Sequence, residues 1–588
     1  MIGKIINIYD NFVEVELTSE NNQTKNLINF HVAFEIENFI IIGEVLTQTA
    51  NNAKILLIGE INNNIFYPGI SKKPFFNASC RIINANELNL LVNNAKNKSM
   101  NIGTMPQYNN YKVNIDVESF FNSHFSILGN TGSGKSYGVA RIIQNLFSDN
   151  NNLPINSNIF IFDAYGEYHN ALKFLNNNPK TNFKIFTTKV SNFEDVEQEV
   201  LRIPLWLLNV EDYALLLNAS KASQLAIIEK SLKLVNIFSK EESEVLAYKN
   251  DIIAKALLEI LYSGGTPMQI RDQLFAVLTY FNTSELNLES KVAIPGWIRT
   301  LRQCLIIDKD GKIHEIQLVA DYLKKFVNDD LELPSYKNTF YNLKNLKDAF
   351  EFALISEGLL KSNKVYDDYN ALRVRLHELL NSDYKEFFNF SEYITAEDYI
   401  KYLTTNKMKE KIQVVNFNIN FVTDRFAKTL VKLISKILFE YSVRLENRAS
   451  VPFHIILEEA HRYVQQDEDL DIIGYNIFER ITKEGRKYGI ILGMISQRPS
   501  EISDTAISQC NNFLIFRMQH PKDLEYIKQM VPNVTEEIVS KFKILQPGSF
   551  MAFGSAFKIP ILLKMQMPNP EPNSQNVNIN KIWFEDNK

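Results

Sequence analysis

The chain has 588 residues, 45% hydrophobic and 22% charged, with a net charge of −5 and a pI near 6.0. That length is too great for one core and suggests about three or four domains of ordinary globular composition. The mild acidity excludes a uniformly basic surface, so any contact with a nucleic acid would be local.

No apolar run approaches the roughly 18 residues needed to cross a bilayer, and Met1-Ile2-Gly3-Lys4 lacks a signal-peptide pattern, so a cytoplasmic protein with no membrane contact is expected. Cys80, Cys304 and Cys510 form no C-x-x-C pair. They read as packing residues, with neither a disulfide framework nor a zinc site indicated.

Residues 1–100 alternate short apolar runs with polar turns: Ile2 to Ile8, Phe12 to Leu17, Phe39 to Val45 and Ala53 to Ile58. Strand-length segments at this spacing predict a small β-barrel or sandwich. Polar breaks follow at Asn62 to Asn64 and at Asn93 to Ser99, the second a plausible domain boundary.

Phe125 to Leu128 then forms a short apolar strand leading into Gly129-Asn130-Thr131-Gly132-Ser133-Gly134-Lys135-Ser136, which fits G-x-x-x-x-G-K-[ST]. This is a nucleotide-binding P-loop. Its glycines let backbone N–H groups turn toward phosphates, Lys135 reaches the β- and γ-phosphates, and the Ser136 hydroxyl can ligate Mg²⁺. Tyr137 opens the helix-like stretch to Phe147 and is placed with the nucleotide-binding residues.

Asn158 to Phe162 is a second apolar strand, ending in Asp163-Ala164-Tyr165-Gly166-Glu167-Tyr168. Asp163 reads either as an outer-sphere partner of Mg²⁺ or of an attacking water, or as a helix N-cap or turn residue. From about 205 to 400 the chain turns to long amphipathic stretches such as Ala214 to Phe238, Ser243 to Leu261 and Tyr369 to Leu380, which read as a helical insertion. The next motif lies more than 300 residues beyond Lys135. It is His454-Ile455-Ile456-Leu457-Glu458-Glu459-Ala460-His461, expected as the strand beside the P-loop strand. Glu458 is assigned to Mg²⁺, through water, and Glu459 to the water that attacks the γ-phosphate.

Glu479 to Gly489 is a charged helix end, followed by the apolar strand Ile490 to Ile495 and by Ser496-Gln497-Arg498-Pro499. Gln497 is the candidate sensor of the γ-phosphate. Arg486, then Arg480, are candidates for an arginine acting from a neighbouring subunit; a solvated basic face is the alternative. Pro568 to Asn580 reads as an extended tail that docks its apolar end, Ile582-Trp583-Phe584, on another subunit, or as a disordered end. His124, His454 and His461 sit beside motif strands and are assigned packing or supporting hydrogen bonds, not catalysis.

The blocks GNTGSGKS, FDAYGEY, LEEAH, EGRKYG and SQRPSEI, in this order after a β-rich N-terminus, resemble the HerA branch of the FtsK/HerA ATPases over nearly the whole chain. The resemblance implies an α/β fold with a RecA-like P-loop core, an N-terminal HAS-like β-barrel and an inserted helical domain. The corresponding boundaries are 1–100 for the barrel, 101–205 and 401–565 for the two parts of the core, 206–400 for the insertion and 566–588 for a C-terminal brace. It implies ATP and Mg²⁺, a homo-hexamer, double-stranded DNA, and Lys135, Ser136, Asp163, Glu459, Gln497 and Arg486 as ATP-site residues. Glu458 stands where many such ATPases have Asp, and Ala164-Tyr165 where the family often has Pro-His.

The resemblance also implies an effector on a separate chain. This would be a nuclease or a sirtuin-like NAD-consuming enzyme in bacterial anti-phage defence, or a NurA-type nuclease in DNA end resection. An ATP-switched scaffold and a protein-remodelling ATPase of AAA+ type remain open. A GTPase is disfavoured by the lack of an N-K-x-D motif, and a conjugative coupling protein by the lack of membrane helices.

Overall fold

The computed structural model describes residues 2–18, 26–36, 39–94, 98–190, 197–294, 297–313, 315–331, 339–356, 363–465, 476–532, 534–574, 579 and 583. Its first unit contains β1 (Gly3–Ile8), β2 (Phe12–Leu17), β3 (His31–Ile36), β4 (Phe39–Gln48), β5 (Asn52–Asn62), β6 (Ile65–Pro68) and β7 (Ser79–Ile82). The order is β2-β1-β7-β3-β4-β5-β6, and β2 also pairs with β5. Six strands therefore close on themselves, with β6 hydrogen-bonded outside the ring. Alternation of buried and part-exposed residues along β5 gives the barrel its filled interior, where Val13, Val15, Phe34, Ile41 and Ile55 meet.

The second sheet has twelve strands. They are β8 (Ser99–Met105), β9 (Tyr111–Asp116), β10 (Phe125–Leu128), β11 (Ile159–Asp163), β12 (Phe183–Thr187), β13 (Gln198–Val200), β16 (Val414–Asn418), β17 (Phe453–Leu457), β18 (Ile490–Ser496), β19 (Asn512–Phe516), β20 (Ser549–Gly554) and β21 (Ile561–Lys564). A separate antiparallel hairpin joins β14 (Lys291–Ile294) to β15 (Trp297–Thr300). The large sheet runs β13-β12-β16-β11-β17-β18-β10-β19-β20-β21-β8-β9. All pairings from β13 to β19 are parallel, and all from β19 to β9 are antiparallel. The parallel strands are continuous apolar runs, as expected where helices cover both faces.

This order corrects one expectation. The strand beside the P-loop strand β10 is β18, which ends just before Gln497; β17, which leads to the two glutamates, is the next one out. A sequence places a motif along the chain but not across a sheet.

Between β13 and β16 the chain passes through helices that include Val210–Leu216, Ala222–Ser239, Glu242–Leu261, Pro267–Tyr280 and Asn363–Asn381. The stretch read as continuous from Ala214 to Phe238 is broken. Asn218 takes a left-handed φ of 52°, and the Ala219 N–H closes back on the Ala214 carbonyl. An asparagine tolerates this conformation, so it ends a helix that the apolar periodicity alone would continue.

Helix Asp424–Arg444, after β16, is buried along most of its length. Its Lys436 Nζ donates to both oxygens of Asp212 at 2.9 and 3.0 Å, and Asp212 also accepts the Asn209 N–H that caps helix Val210–Leu216. Both side chains are shielded from solvent. Removing one partner strands a buried charge, whereas replacing both does not. Lys436→Met alone is therefore expected to cost about 3–5 kcal/mol. The melting temperature of Lys436→Met/Asp212→Leu should lie above that of the single variant.

Candidate functional site

The four buried residues of β10 deliver the chain to a loop that only small residues can form. A Cβ on Gly129 would lie 2.7 Å from Phe516 Cβ, and Gly134, at φ 105°, passes Gly548 so closely that a Cβ would meet its nitrogen at 3.0 Å. Helix Lys135–Leu146 begins at once, so the N–H groups of its first turn face the loop's hollow. Two side chains close on the loop itself: Ser133 Oγ donates to the Asn130 carbonyl at 2.7 Å and Lys135 Nζ to the same oxygen at 3.0 Å.

β17 brings its carboxylates to this loop. Glu458 Oε1 lies 3.5 Å from Ser136 Oγ and accepts from Tyr168 Oη at 3.3 Å, while Oε2 accepts the Ala164 N–H at 3.1 Å. Burial, then the nearby Asp163 and Glu167 carboxylates, push Glu458 well above the ordinary carboxylate range. Glu459 follows in the left-handed region at φ 51°, ψ 47°, a strained place for a residue with a side chain. Burial raises its carboxyl too, against the pull of Lys135 and Arg462. Lys135 is lowered by burial and supported by Glu459, Glu458 and Glu167.

Asp163, at the end of β11, is fully buried. Its Oδ1 accepts N–H groups from Tyr165, Gly166 and Glu167, and its Oδ2 accepts from Tyr168 and from Asn416 Nδ2. The side chain thus organises the turn that presents the Ala164 N–H and the Tyr168 hydroxyl to Glu458. Glu167, on the same turn, was not singled out from the sequence. Burial pushes it up, while the hydroxyls of Ser136 and Ser574 and the charge of Lys135 pull it down. A second carboxylate four residues beyond the strand-end Asp163, in a glycine turn, was the available signal.

From β18, Gln497 Oε1 accepts a hydrogen bond from Thr131 in the P-loop. Ser496 joins the same junction: its carbonyl accepts the Gly129 N–H at 3.2 Å, and its hydroxyl meets His461 Nδ1 at 3.0 Å. The structure therefore brings Asn130, Thr131, Gly132, Ser133, Lys135, Ser136, Glu458, Glu459 and Gln497 together. It does not bring Arg486 there. Arg486 is exposed in the turn Gly485–Tyr488 before β18, at the opposite end of a seven-residue strand from Gln497. At about 3.3 Å per residue that separation is roughly 20 Å. Arg480 is tied to its own helix, 3.6 Å from Glu484 and stacked over the Phe439 ring at 5.0 Å.

The tail returns to the same place. Asn569 donates its N–H to Gln144, Tyr137 Oη donates to Glu571 at 3.2 Å, and the Asn573 N–H bonds the Glu167 carbonyl at 2.8 Å. Residues 566–574 thus lie along the P-loop helix of their own chain. Of the apolar anchor, Trp583 is exposed, and Ile582 and Phe584 lie outside the described residues.

A P-loop at the end of one parallel strand, a glutamine at the tip of the adjacent strand and paired carboxylates on the next define a P-loop ATPase. The model of the HerA helicase central domain matches residues 100–327. The chain is 22% identical over 544 residues to the DNA double-strand break repair helicase HerA of Pyrococcus furiosus, covering 91% of this chain and 81% of that protein. It is 21% identical over 486 residues to the probable DNA double-strand break repair helicase HerA of Methanocaldococcus jannaschii, covering 82% and 80%. Residues 100–327 therefore match the HerA central domain, and most of the chain is similar to HerA helicases. Among solved structures it matches VirB4 of Thermoanaerobacter pseudethanolicus at a TM-score of 0.44 and 14% identity, over 80% of this chain and 97% of that one.

The raised Glu458 carboxyl carries a pH signature. A carboxyl that binds its proton more tightly when folded than when unfolded supports stability below its ordinary value of 4.5 and loses that support as pH rises. In nucleotide-free, metal-free protein, Glu458→Gln should therefore raise the melting temperature at about pH 8 and change it far less at about pH 4. Equal shifts at both pH values would show that the Glu458 carboxyl is not raised.

Proposed function

We propose that this chain is the ATP-hydrolysing motor subunit of a hexameric DNA translocase or helicase that works with a separate effector chain. The observation that carries the reading is the convergence of Lys135, Ser136, Glu458, Glu459 and Gln497, from three neighbouring strand ends, on one P-loop. In this reading the P-loop N–H groups and Lys135 bind and orient the β- and γ-phosphates. Glu459 accepts the proton of the attacking water, Gln497 with Thr131 registers the γ-phosphate, and Asp163 holds the turn that fixes Glu458.

Ser136 and Glu458 fit Mg²⁺. They offer hard oxygen donors that already approach each other, and such a site needs only one or two protein ligands beside phosphate and water. When bound, the ion neutralises phosphate charge. Arg486 lies too far from its own P-loop to serve it, so in this reading it serves the ATP site of a neighbouring subunit, which is the reason to propose a ring.

DNA is proposed as the track because the relatives are named DNA repair helicases. The effector would be a nuclease or a sirtuin-like NAD-consuming enzyme in anti-phage defence. A NurA-type nuclease in end resection is the second reading, favoured by the repair role in those relatives' names. Co-purification from native cells separates the two.

The test is steady-state ATP hydrolysis with and without linear duplex DNA, with assembly mass read in the same samples. DNA should stimulate a hexamer. Lys135→Ala should abolish nucleotide binding, while Glu459→Gln should keep binding and lose about 100-fold or more in turnover. Hydrolysis indifferent to DNA would overturn the motor reading, and full activity in Glu459→Gln would overturn the assignment of the base.

A further inference from the structure

We infer that His461 is the positioning residue that holds Glu459 in its working orientation and ties it to the sensor strand. The inference rests on the ATPase reading of the site and turns a residue read only as packing or a supporting hydrogen bond into a positioning residue for Glu459.

Glu459 needs an external hold. Its backbone sits in the left-handed region, its side chain is buried, and its Oε2 has no hydrogen-bond donor. His461 Nδ1 lies 3.3 Å from that oxygen, a close contact that falls short of an aligned hydrogen bond. The same Nδ1 meets Ser496 Oγ at 3.0 Å, and that oxygen also accepts the Arg498 N–H at 2.9 Å. A carboxylate oxygen can only accept, so a bare Nδ1 lone pair facing it would repel it. The inventory therefore assigns the Nδ1–H tautomer, one proton between Ser496 Oγ and Glu459 Oε2. A small rotation of Glu459 converts the 3.3 Å contact into a hydrogen bond, and supporting bonds of this kind commonly tighten around substrate.

The position of Ser496 gives this bond its consequence. Ser496 is fully buried, its carbonyl holds the Gly129 N–H at the start of the P-loop, and its neighbour Gln497 holds Thr131. His461 thus connects the carboxylate on one strand to the residues on the next that contact the phosphate loop. Orientation errors of about 1 Å at a reacting group cost on the order of 100-fold in rate, so a lost hold appears in turnover rather than in binding.

The test compares His461→Ala, His461→Asn and Ser496→Ala in the full-length chain, each also combined with Glu459→Gln, reading kcat, KM and the affinity for a fluorescent ATP analogue. Asparagine can place an N–H near the position of Nδ1. His461→Ala should lower kcat by about 10- to 100-fold with KM and affinity little changed, and His461→Asn should recover most of the loss. In the Glu459→Gln background His461→Ala should add nothing, because the group it positions is already gone. Ser496→Ala, which keeps the carbonyl hold on Gly129, should fall between. Wild-type kcat in His461→Ala, equal defects in the Ala and Asn variants, or additive defects with Glu459→Gln would overturn the inference. If Glu459→Gln itself hydrolyses ATP normally, the reading of the site falls first and this inference with it.

Discussion

Four parallel strands in register decide where the chemistry can occur. Leu128 of β10 pairs with Ser496 of β18, Leu457 of β17 pairs with Met494 of β18, and Phe162 of β11 pairs with Leu457. Neighbouring strands lie about 4.8 Å apart, so residues at or just beyond these ends form one short row: Gly129, Gln497, Glu458 and Asp163. Groups separated by 322 positions in the chain, Ser136 and Glu458, become neighbours without a flexible arm between them. A slip of one residue in any of these pairings would turn the end side chains to the other face and dissolve the row.

The row concentrates charge where water is scarce. Glu458, Glu459 and Glu167 surround Lys135, and burial works against the charged form of all four. Lys135 is satisfied by the loop carbonyl of Asn130, and Glu458 by Tyr168, Ser136 and the Ala164 N–H. These internal hydrogen bonds offset part of the cost of burying the charged groups. The fold tolerates the crowding because Asp163 anchors one wall with hydrogen bonds to four backbone N–H groups and to Asn416.

Much of this was legible in the residues. The P-loop, the strand before it and the helix after it stand where their spacing put them, because glycine freedom, an apolar strand and a lysine at a helix start are local properties. The barrel was legible from four of its strands, Ile2 to Ile8 through Ala53 to Ile58. β3, β6 and β7 were not: β6 and β7 have only four residues each, and β3 is bounded by His31 and interrupted by Glu35. What the sequence withheld is lateral. It did not show that β18 lies between β10 and β17, that Arg486 falls at the far end of the sheet, or that residues 566–574 fold back on the P-loop helix. Glu167 was visible only as a letter within a known block, and His461 only as a candidate for packing or a supporting hydrogen bond, since their partners Ser136, Ser574 and Ser496 come from other elements.

The same lateral contacts connect the site to the rest of the molecule. Arg462 donates its backbone N–H to the Glu459 carbonyl at 2.8 Å, and its guanidinium pairs with Asp424 at the start of helix Asp424–Arg444. Three turns along that helix, Lys436 holds Asp212 in the helical segment between β13 and β16. A displacement of the Glu459 turn is therefore met first by an ion pair at the surface, then by a rigid helix, then by a buried ion pair whose separation would leave a charge uncompensated. Contiguous stiff contacts of this kind are a physical means by which a change at a phosphate-binding loop could reach distant helices. Their stiffness rises inward: the Arg462–Asp424 pair is open to solvent at the Asp424 end, and the Lys436–Asp212 pair is not. The outer pair is the weaker contact, because an ion pair open to water contributes little, whereas breaking the inner one leaves a buried charge uncompensated.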